Sequence, residues 1–265
     1  MKITPLGDSA LTIHVRDEFQ SDPEGCLREV GHVLRLLQEA RLPGLSEVTP
    51  AFTSVSMFYD PAQIADGNDA AENVCEWLAE KIPALVVGAG GGDHRAESAR
   101  LVEIPVCYDK EFGLDLGIVA AQAGLTETDV IAAHSGATYR VGCIGFVPGF
   151  PFLIGLPRAL ATPRRATPRT QVPAGSVAIG GAQTGIYPQQ SPGGWNVIGR
   201  TPQRLFDVER ETPALLAQGD AVRFRSITRA EFEALAVAAV CDRRSAESSQ
   251  MSPGESAVID RPYRE

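Results

Sequence analysis

Lysine is almost absent from this 265-residue chain: it occurs only at Lys2, Lys81 and Lys110, and arginine carries nearly all the positive charge. No G-x-x-x-x-G-K-[ST] string is present, so any nucleotide would have to be held without a P-loop lysine. Apolar runs are short, and none approaches the roughly 20 residues that span a bilayer. The opening MKITPLGDSALTIHV has one lysine and no apolar core, so a signal peptide is not expected and a cytoplasmic protein is. The five cysteines (Cys26, Cys75, Cys107, Cys143, Cys241) are scattered, with no C-x-x-C and no histidine at ligand spacing. That argues against a structural zinc site and predicts reduced thiols. The net charge of −9 argues against nucleic-acid binding, which needs basic surface.

The 44% hydrophobic content is enough for a core, and the length suits two modest domains. Lys2–Leu6 and Ala10–Val15 read as short strands around a Gly7-Asp8 turn. Asp22-Pro23 starts a helix whose Leu27, Val30, Leu34 and Leu37 share a face, and Leu42-Pro43-Gly44 stops it. Two strands are expected between Val48 and Tyr59, separated at Thr49-Pro50. A helix through Ala71, Val74, Trp77 and Leu78 is expected to end before Pro83. This order suggests a ferredoxin-like α+β half over residues 1–87. The glycine run 88–93 reads as part of a linker (88–99) that cannot pack a core.

Leu101–Val106 resumes as a strand, followed by two short helices. The second starts at Thr126 with Asp129 in the capping-box place and ends near His134. From Tyr139 onward short apolar runs (Val141–Val147, Ser176–Ile179, Trp195–Ile198, Ala221–Phe224) are broken by glycine and proline, as in a barrel or sandwich. A helix capped by Thr228 and Glu231 and running to Val240 closes a second domain over 100–240. The polar remainder, 241–265, reads as a disordered tail.

Four segments between Arg140 and Arg200 concentrate the chemistry. Gly145–Leu153 alternates Gly, Pro and Phe, so Phe146, Phe150 and Phe152 either line an exposed rim or complete the core. Pro163–Arg169 places Arg164, Arg165 and Arg169 on a proline-stiffened loop with no acid beside it, a pattern suited to anions or to plain solvation. Val172–Pro188 offers glycine backbone together with Gln183, Thr184 and Tyr187 as neutral hydrogen-bonding groups. Ser191–Pro202 joins Ser191, the exposed backbone of Gly193 and Gly194, and Arg200, which could meet a substrate anion or a core acid. His134, at a helix C-terminus where the macrodipole favours its charged form, is the candidate acid or base, or else a cap. No G-x-S-x-G elbow and no metal-ligand cluster accompany them.

The strings PVCYDKEFGLDL, GFVPGFPFLIGLP, PRRATPRTQVPAGSVAIGGAQTGIYP and SPGGWNVIGRTP resemble the family that takes in allophanate hydrolase subunit 1, KipI and the B subunit of 5-oxoprolinase. The resemblance implies an α+β chain with a ferredoxin-like N-terminal domain and a C-terminal cyclophilin-like β-barrel. It also implies a subunit inactive alone, whose A and C (KipA-like) partners convert 5-oxo-L-proline to L-glutamate with ATP, and Mg²⁺ with it, at the level of the complex. A lactam or amide is then the small-molecule substrate, with neither nucleic acid nor membrane as a partner. In that setting His134 and Arg200 are candidate catalytic residues, and Arg164, Arg169, Gln183, Tyr187, Ser191, Gly193 and Gly194 candidate substrate contacts. Two alternatives stay open: a carboxyltransferase subunit of a urea- or amide-carboxylating enzyme, and an inhibitor of a sensor histidine kinase.

Overall fold

The structure, a computed structural model, describes residues 1–65, 74–88 and 99–238. Most of the expected linker and all of the expected tail therefore lie outside the described residues. The chain order is β1 (Lys2–Pro5), β2 (Ala10–His14), α1 (Pro23–Glu39), β3 (Leu45–Pro50), β4 (Ser54–Tyr59), α2 (Pro61–Ala65) and α3 (Val74–Gly88). It continues with β5 (Leu101–Val106), α4 (Leu116–Ala123), α5 (Glu127–Gly136), β6 (Thr138–Ile144), β7 (Pro151–Ile154) and β8 (Arg169–Val172). β9 (Ser176–Gly180), β10 (Gln183–Ile186), β11 (Ser191–Gly193), β12 (Asn196–Arg200), β13 (Ala221–Ser226) and a helix over 229–238 (α6) complete it.

The first four strands form an antiparallel sheet in the order β1-β2-β4-β3. Alternation sends Leu11, Ile13, Val55 and Met57 to one face, where Val30, Val33 and Leu37 of α1 and Leu78 and Ile82 of α3 cover them. α1 starts as the sequence predicts, with the Asp22 carboxylate accepting from the Gly25 N–H and Pro23 in the first turn. Two boundaries differ. β3 runs through Thr49-Pro50, and Pro50 pairs with Val55 at the sheet's edge, where its missing N–H costs no ladder bond. α3 also passes through Pro83 rather than stopping there. The buried Leu78 and Ile82, four residues apart, tie its face to the core and outweigh the lost backbone bond.

The second sheet has seven strands in the order β12-β9-β10-β7-β6-β13-β5, antiparallel except for the β13–β5 pair. Its edge strands meet: Cys107, just past β5, exchanges two 2.8 Å backbone hydrogen bonds with Arg200 of β12. The sheet thus curls until its first and last strands touch, and its concave side holds Ile104, Val106, Tyr139, Val141, Leu153, Ile179, Ile198 and Phe224. α4 and α5 pack across this core through Leu116, Val119 and Val130. α5 is opened by the capping box, with Thr126 and Asp129 each bonding the other's backbone N–H. Thr228 and Glu231 do the same for α6, whose predicted end at Val240 lies outside the described residues.

The two halves touch directly. The Phe52 ring lies against Gly142 of β6 so closely that a Cβ there would collide with it. Arg140 reaches Glu24 at 3.1 Å, and the Gln218 amide donates to Ala51 O at 3.1 Å.

Candidate functional site

The arginine loop 163–169 is fixed at both ends before its side chains are considered. Asn196 Nδ2 donates to Pro163 O at 2.8 Å, and the Arg165 N–H donates to Gly194 O at 2.7 Å. β8 and β11 then form a two-stranded ribbon, pairing Val172 with Ser191 and Arg169 with Gly193, with a register shift between them.

No acid neighbours this loop along the chain, but one meets it in space. Asp115, 1% exposed, comes from the turn before α4 and accepts from Arg165 Nη1 at 2.7 Å. It also accepts from Arg169 Nη1 and Nη2 at 2.6 and 2.9 Å, and from the Val197 N–H at 2.8 Å. Four donors fill a carboxylate's capacity, and the carboxylate raises the Arg169 pKa by bonding its charged form. Asp115 occupies the N-cap position of α4, but its side chain makes no capping bond because the two arginines claim it. Two guanidinium groups share one carboxylate, so a positive charge is left over. Arg164 adds another: it is exposed, with its Cζ 5.8 Å from the centre of the Trp195 ring and no ion pair among the described residues.

Beneath the loop lies an aromatic floor on the convex face of β7, β9 and β10. Phe150 sits at its centre, with ring centroids 4.8 Å from Phe152, 5.1 Å from Tyr187 and 5.6 Å from Trp195. Glycine makes this packing possible: a Cβ on Gly180 would lie 2.5 Å from the Trp195 indole, and one on Gly193 would strike the Tyr187 hydroxyl. Those two glycines therefore seat aromatic side chains, where the sequence suggested open backbone for a ligand. Tyr187 is buried, and burial pushes its pKa up. Of the expected rim, Phe150 and Phe152 belong to this floor, and Phe146 alone projects, 66% exposed with a φ of 70°. A left-handed, solvent-facing phenylalanine is strained. Gln183 stands opposite Gly180, the glycine under Trp195.

His134 is elsewhere. It lies wholly buried inside the curled sheet, stacked on Phe224 at 4.6 Å. Its Nδ1 is 2.8 Å from the Tyr108 hydroxyl, and its Nε2 is 3.0 Å from Thr184 Oγ1, which donates to Ala178 O at 3.0 Å. Because the threonine proton is committed to the carbonyl, Nε2–H must donate to Thr184 and Nδ1 must accept from Tyr108. Every proton in the chain of bonds is used. Burial lowers the His134 pKa to about 3, so the charged form that its helix position suggested is corrected to a neutral imidazole. Desolvation outweighs the macrodipole because the ring is fully enclosed.

Arg200 is also apart, four residues along β12 from Asn196 and so about 13 Å away at strand rise. Its Nε donates to Ala174 O at 2.9 Å, and its guanidinium faces the Phe112 ring at 5.7 Å, with Arg229 against the same ring at 4.5 Å. No carboxylate pairs with it among the described residues, and burial lowers its pKa. The structure thus groups Arg164, Arg169, Gln183, Tyr187, Ser191, Gly193 and Gly194 around Trp195 and separates His134 and Arg200 from them. Asp115, Trp195 and Tyr108 are organising residues that spacing along the chain did not mark out, and Thr184 bonds His134 instead of facing a ligand. An open depression of about 450 Å³ beside Arg41 and Glu47 belongs to the N-terminal half and shares no residue with the loop. Among the described residues no group of His, Cys, Asp and Glu could hold a metal ion.

A family model described as carboxyltransferase domain, subdomain C and D, matches residues 1–216. The B subunit of 5-oxoprolinase from Bacillus subtilis (strain 168) is 38% identical over 238 residues, covering 88% of this chain and 95% of that protein. The crystal structure of TTHA0988 superposes with a TM-score of 0.67 at 36% identity, over 85% of this chain and 40% of that one. This chain therefore spans well under half of the TTHA0988 polypeptide. Urea carboxylase of Kluyveromyces lactis shares the fold, with a TM-score of 0.66 at 20% identity, over 88% of this chain and 22% of that one.

Proposed function

We propose, since this chain belongs to the family of the carboxyltransferase domain, subdomain C and D, that it is the B subunit of an ATP-dependent 5-oxoprolinase. In this reading it opens 5-oxo-L-proline to L-glutamate in the cytoplasm, as a hydrolase subunit working with A and C partners. The observation that carries the reading is the 38% identity to a 5-oxoprolinase B subunit along 95% of that relative's length. The geometry supports a part-site. An anion-seeking loop, an aromatic floor and neutral hydrogen-bonding groups are gathered in one place, and no activated nucleophile stands among the described residues there.

A lactam carbonyl is a poor electrophile, and ATP bound at the level of the complex, with Mg²⁺, would supply the phosphoryl group that activates its oxygen. This chain's contribution is then to bind and orient. Arg164 and the Asp115-held pair Arg165 and Arg169 supply preorganised positive charge, and Gln183 and Tyr187 supply amide-directed hydrogen bonds. Arg200, half-buried beside Phe112 and without a carboxylate among the described residues, serves as a second anion contact away from the loop. In the same reading residues 1–87 are a ferredoxin-like domain, 88–99 a linker, 100–240 a cyclophilin-like barrel and 241–265 a tail.

The test is co-expression with the A and C partners and measurement of ATP hydrolysis and glutamate release on adding 5-oxo-L-proline. Activity of the complex and not of the single chain is expected. An inactive complete complex would sink the reading. Urea-dependent carboxylation would favour the carboxyltransferase alternative, and tight binding of a sensor kinase the inhibitory one.

A further inference from the structure

Two interior polar atoms have no hydrogen-bond partner among the described residues, Arg165 Nε and Ser191 Oγ. A buried donor left open is disfavoured more strongly than a made bond is favoured, so such atoms in a native fold call for a partner that the described residues do not supply, an ordered water or a ligand. Both belong to one pair of joined segments. The Arg165 N–H holds Gly194 O, and the ribbon's register shift falls between Ser191 and Gly193. A shift of that kind re-aims a side chain, and bulges concentrate beside ligand sites.

Ser191 is 9% exposed and pairs with Val172, a member of the aromatic floor's cluster, so its hydroxyl faces the floor. The local charge is also unbalanced. Arg164, Arg165 and Arg169 stand against one carboxylate, and that carboxylate's four acceptor positions are taken. The two open donors suit an anionic acceptor that offers two oxygens, as a carboxylate does.

We propose that the ribbon is the seat of the substrate's carboxylate. The Arg165 Nε–H and the Ser191 O–H donate to its oxygens, and Arg164 balances its charge from above Trp195. The identity of the acid, a lactam bearing a ring carboxylate, rests on the 5-oxoprolinase reading; the carboxylate itself rests on the open donors and the charge.

The experiment uses the co-expressed complex, with 5-oxo-L-proline and 2-pyrrolidinone (the same lactam without its carboxylate) as probes. In Ser191→Ala, KM and the calorimetric Kd for 5-oxo-L-proline should rise about tenfold, the loss expected of one hydrogen bond to a charged group. The kcat should stay within twofold, and the melting temperature should hold or rise, since the hydroxyl has no bond within the described residues to lose. Arg165→Lys keeps the charge facing Asp115 but removes Nε, and should weaken binding to a similar degree. 2-Pyrrolidinone should bind wild type and both variants alike.

An unchanged KM in Ser191→Ala would overturn the proposal. So would a lowered melting temperature in that variant, which would place the hydroxyl in the fold, or equal affinity of wild type for the two lactams. Should the wild-type complex hydrolyse no ATP with 5-oxo-L-proline, the parent reading falls, and the calorimetry still decides. Binding that needs both the carboxylate and Ser191 sustains the seat, and equal or absent binding removes it.

Discussion

A proton added to His134 would have to displace the Tyr108 hydroxyl from Nδ1, inside a fully buried core. Nitrogen NMR of the ring should therefore show one neutral tautomer, protonated at Nε2, still present well below pH 6; an imidazolium signal at pH 6 would contradict the burial argument. The sign of the linked stability follows from the lowered pKa. Above about 6.5, the ordinary histidine value, folded and unfolded states are both neutral here, and the contribution is constant. As pH falls from there toward 3, the unfolded chain takes up a proton that the folded one refuses, so stability is lost, by a few kcal/mol in total. Urea midpoints measured across that window should fall for wild type, and this part of the fall should vanish in His134→Phe. Asp115 makes the other residue-scale case. Asp115→Ala strands two partly buried guanidinium groups (29% and 22% exposed side chains) and should cost roughly 3 kcal/mol, read as a lower denaturant midpoint. Any loss of lactam binding in Asp115→Ala should exceed that in Arg169→Ala, because both arginines lose their anchor together.

The elements around the floor are shaped by close approach. Gly180 lies on β9 directly under Trp195, so Gly180→Ala must push the indole outward. Overpacking of this kind costs about 1–3 kcal/mol, and the Trp195 fluorescence should shift to the red as the ring gains solvent. An unshifted spectrum at unchanged stability would show that the floor has room the packing denies. α5 depends on its first turn in a different way. Thr126 and Asp129 satisfy each other's backbone N–H groups, and Thr126→Ala should cost about 1 kcal/mol with no effect on ligand binding.

For the whole molecule, the Phe52–Gly142 contact decides whether the halves unfold together. With Trp77→Phe as background, Trp195 reports on the curled sheet alone while circular dichroism reports on both halves. Gly142→Val should drive Phe52 off β6 and split one coincident transition into two. Coincident transitions in that variant would mean that the Arg140–Glu24 and Gln218–Ala51 links suffice. Arg200 belongs to this scale as well, since its backbone joins the two edges of the sheet and its side chain lies on Phe112. Arg200→Ala keeps the backbone bonds. It should spare the fold and reduce turnover of the complex if the guanidinium meets an anion; normal kinetics would leave it a structural stack.

The sequence by itself determined the local pieces: the Asp22-Pro23 start of α1, the Thr126 capping box and the short strands after Tyr139. Each depends on neighbours within a few positions, and hydrogen bonds and periodicity of that range are written in adjacent letters. It also carried the family, because long strings in fixed order are specific where single motifs are not. Tertiary structure alone decided what the polar residues do. Asp115 finds arginines 50 and 54 positions away, glycines that read as ligand-facing backbone hold Trp195 and Tyr187, and His134 at the end of a helix becomes a neutral link in a core. The physical reason is one of range. Burial and the pairing of charges depend on what the closing of the sheet brings together, and those partners lie too far apart in the chain for spacing to reveal them.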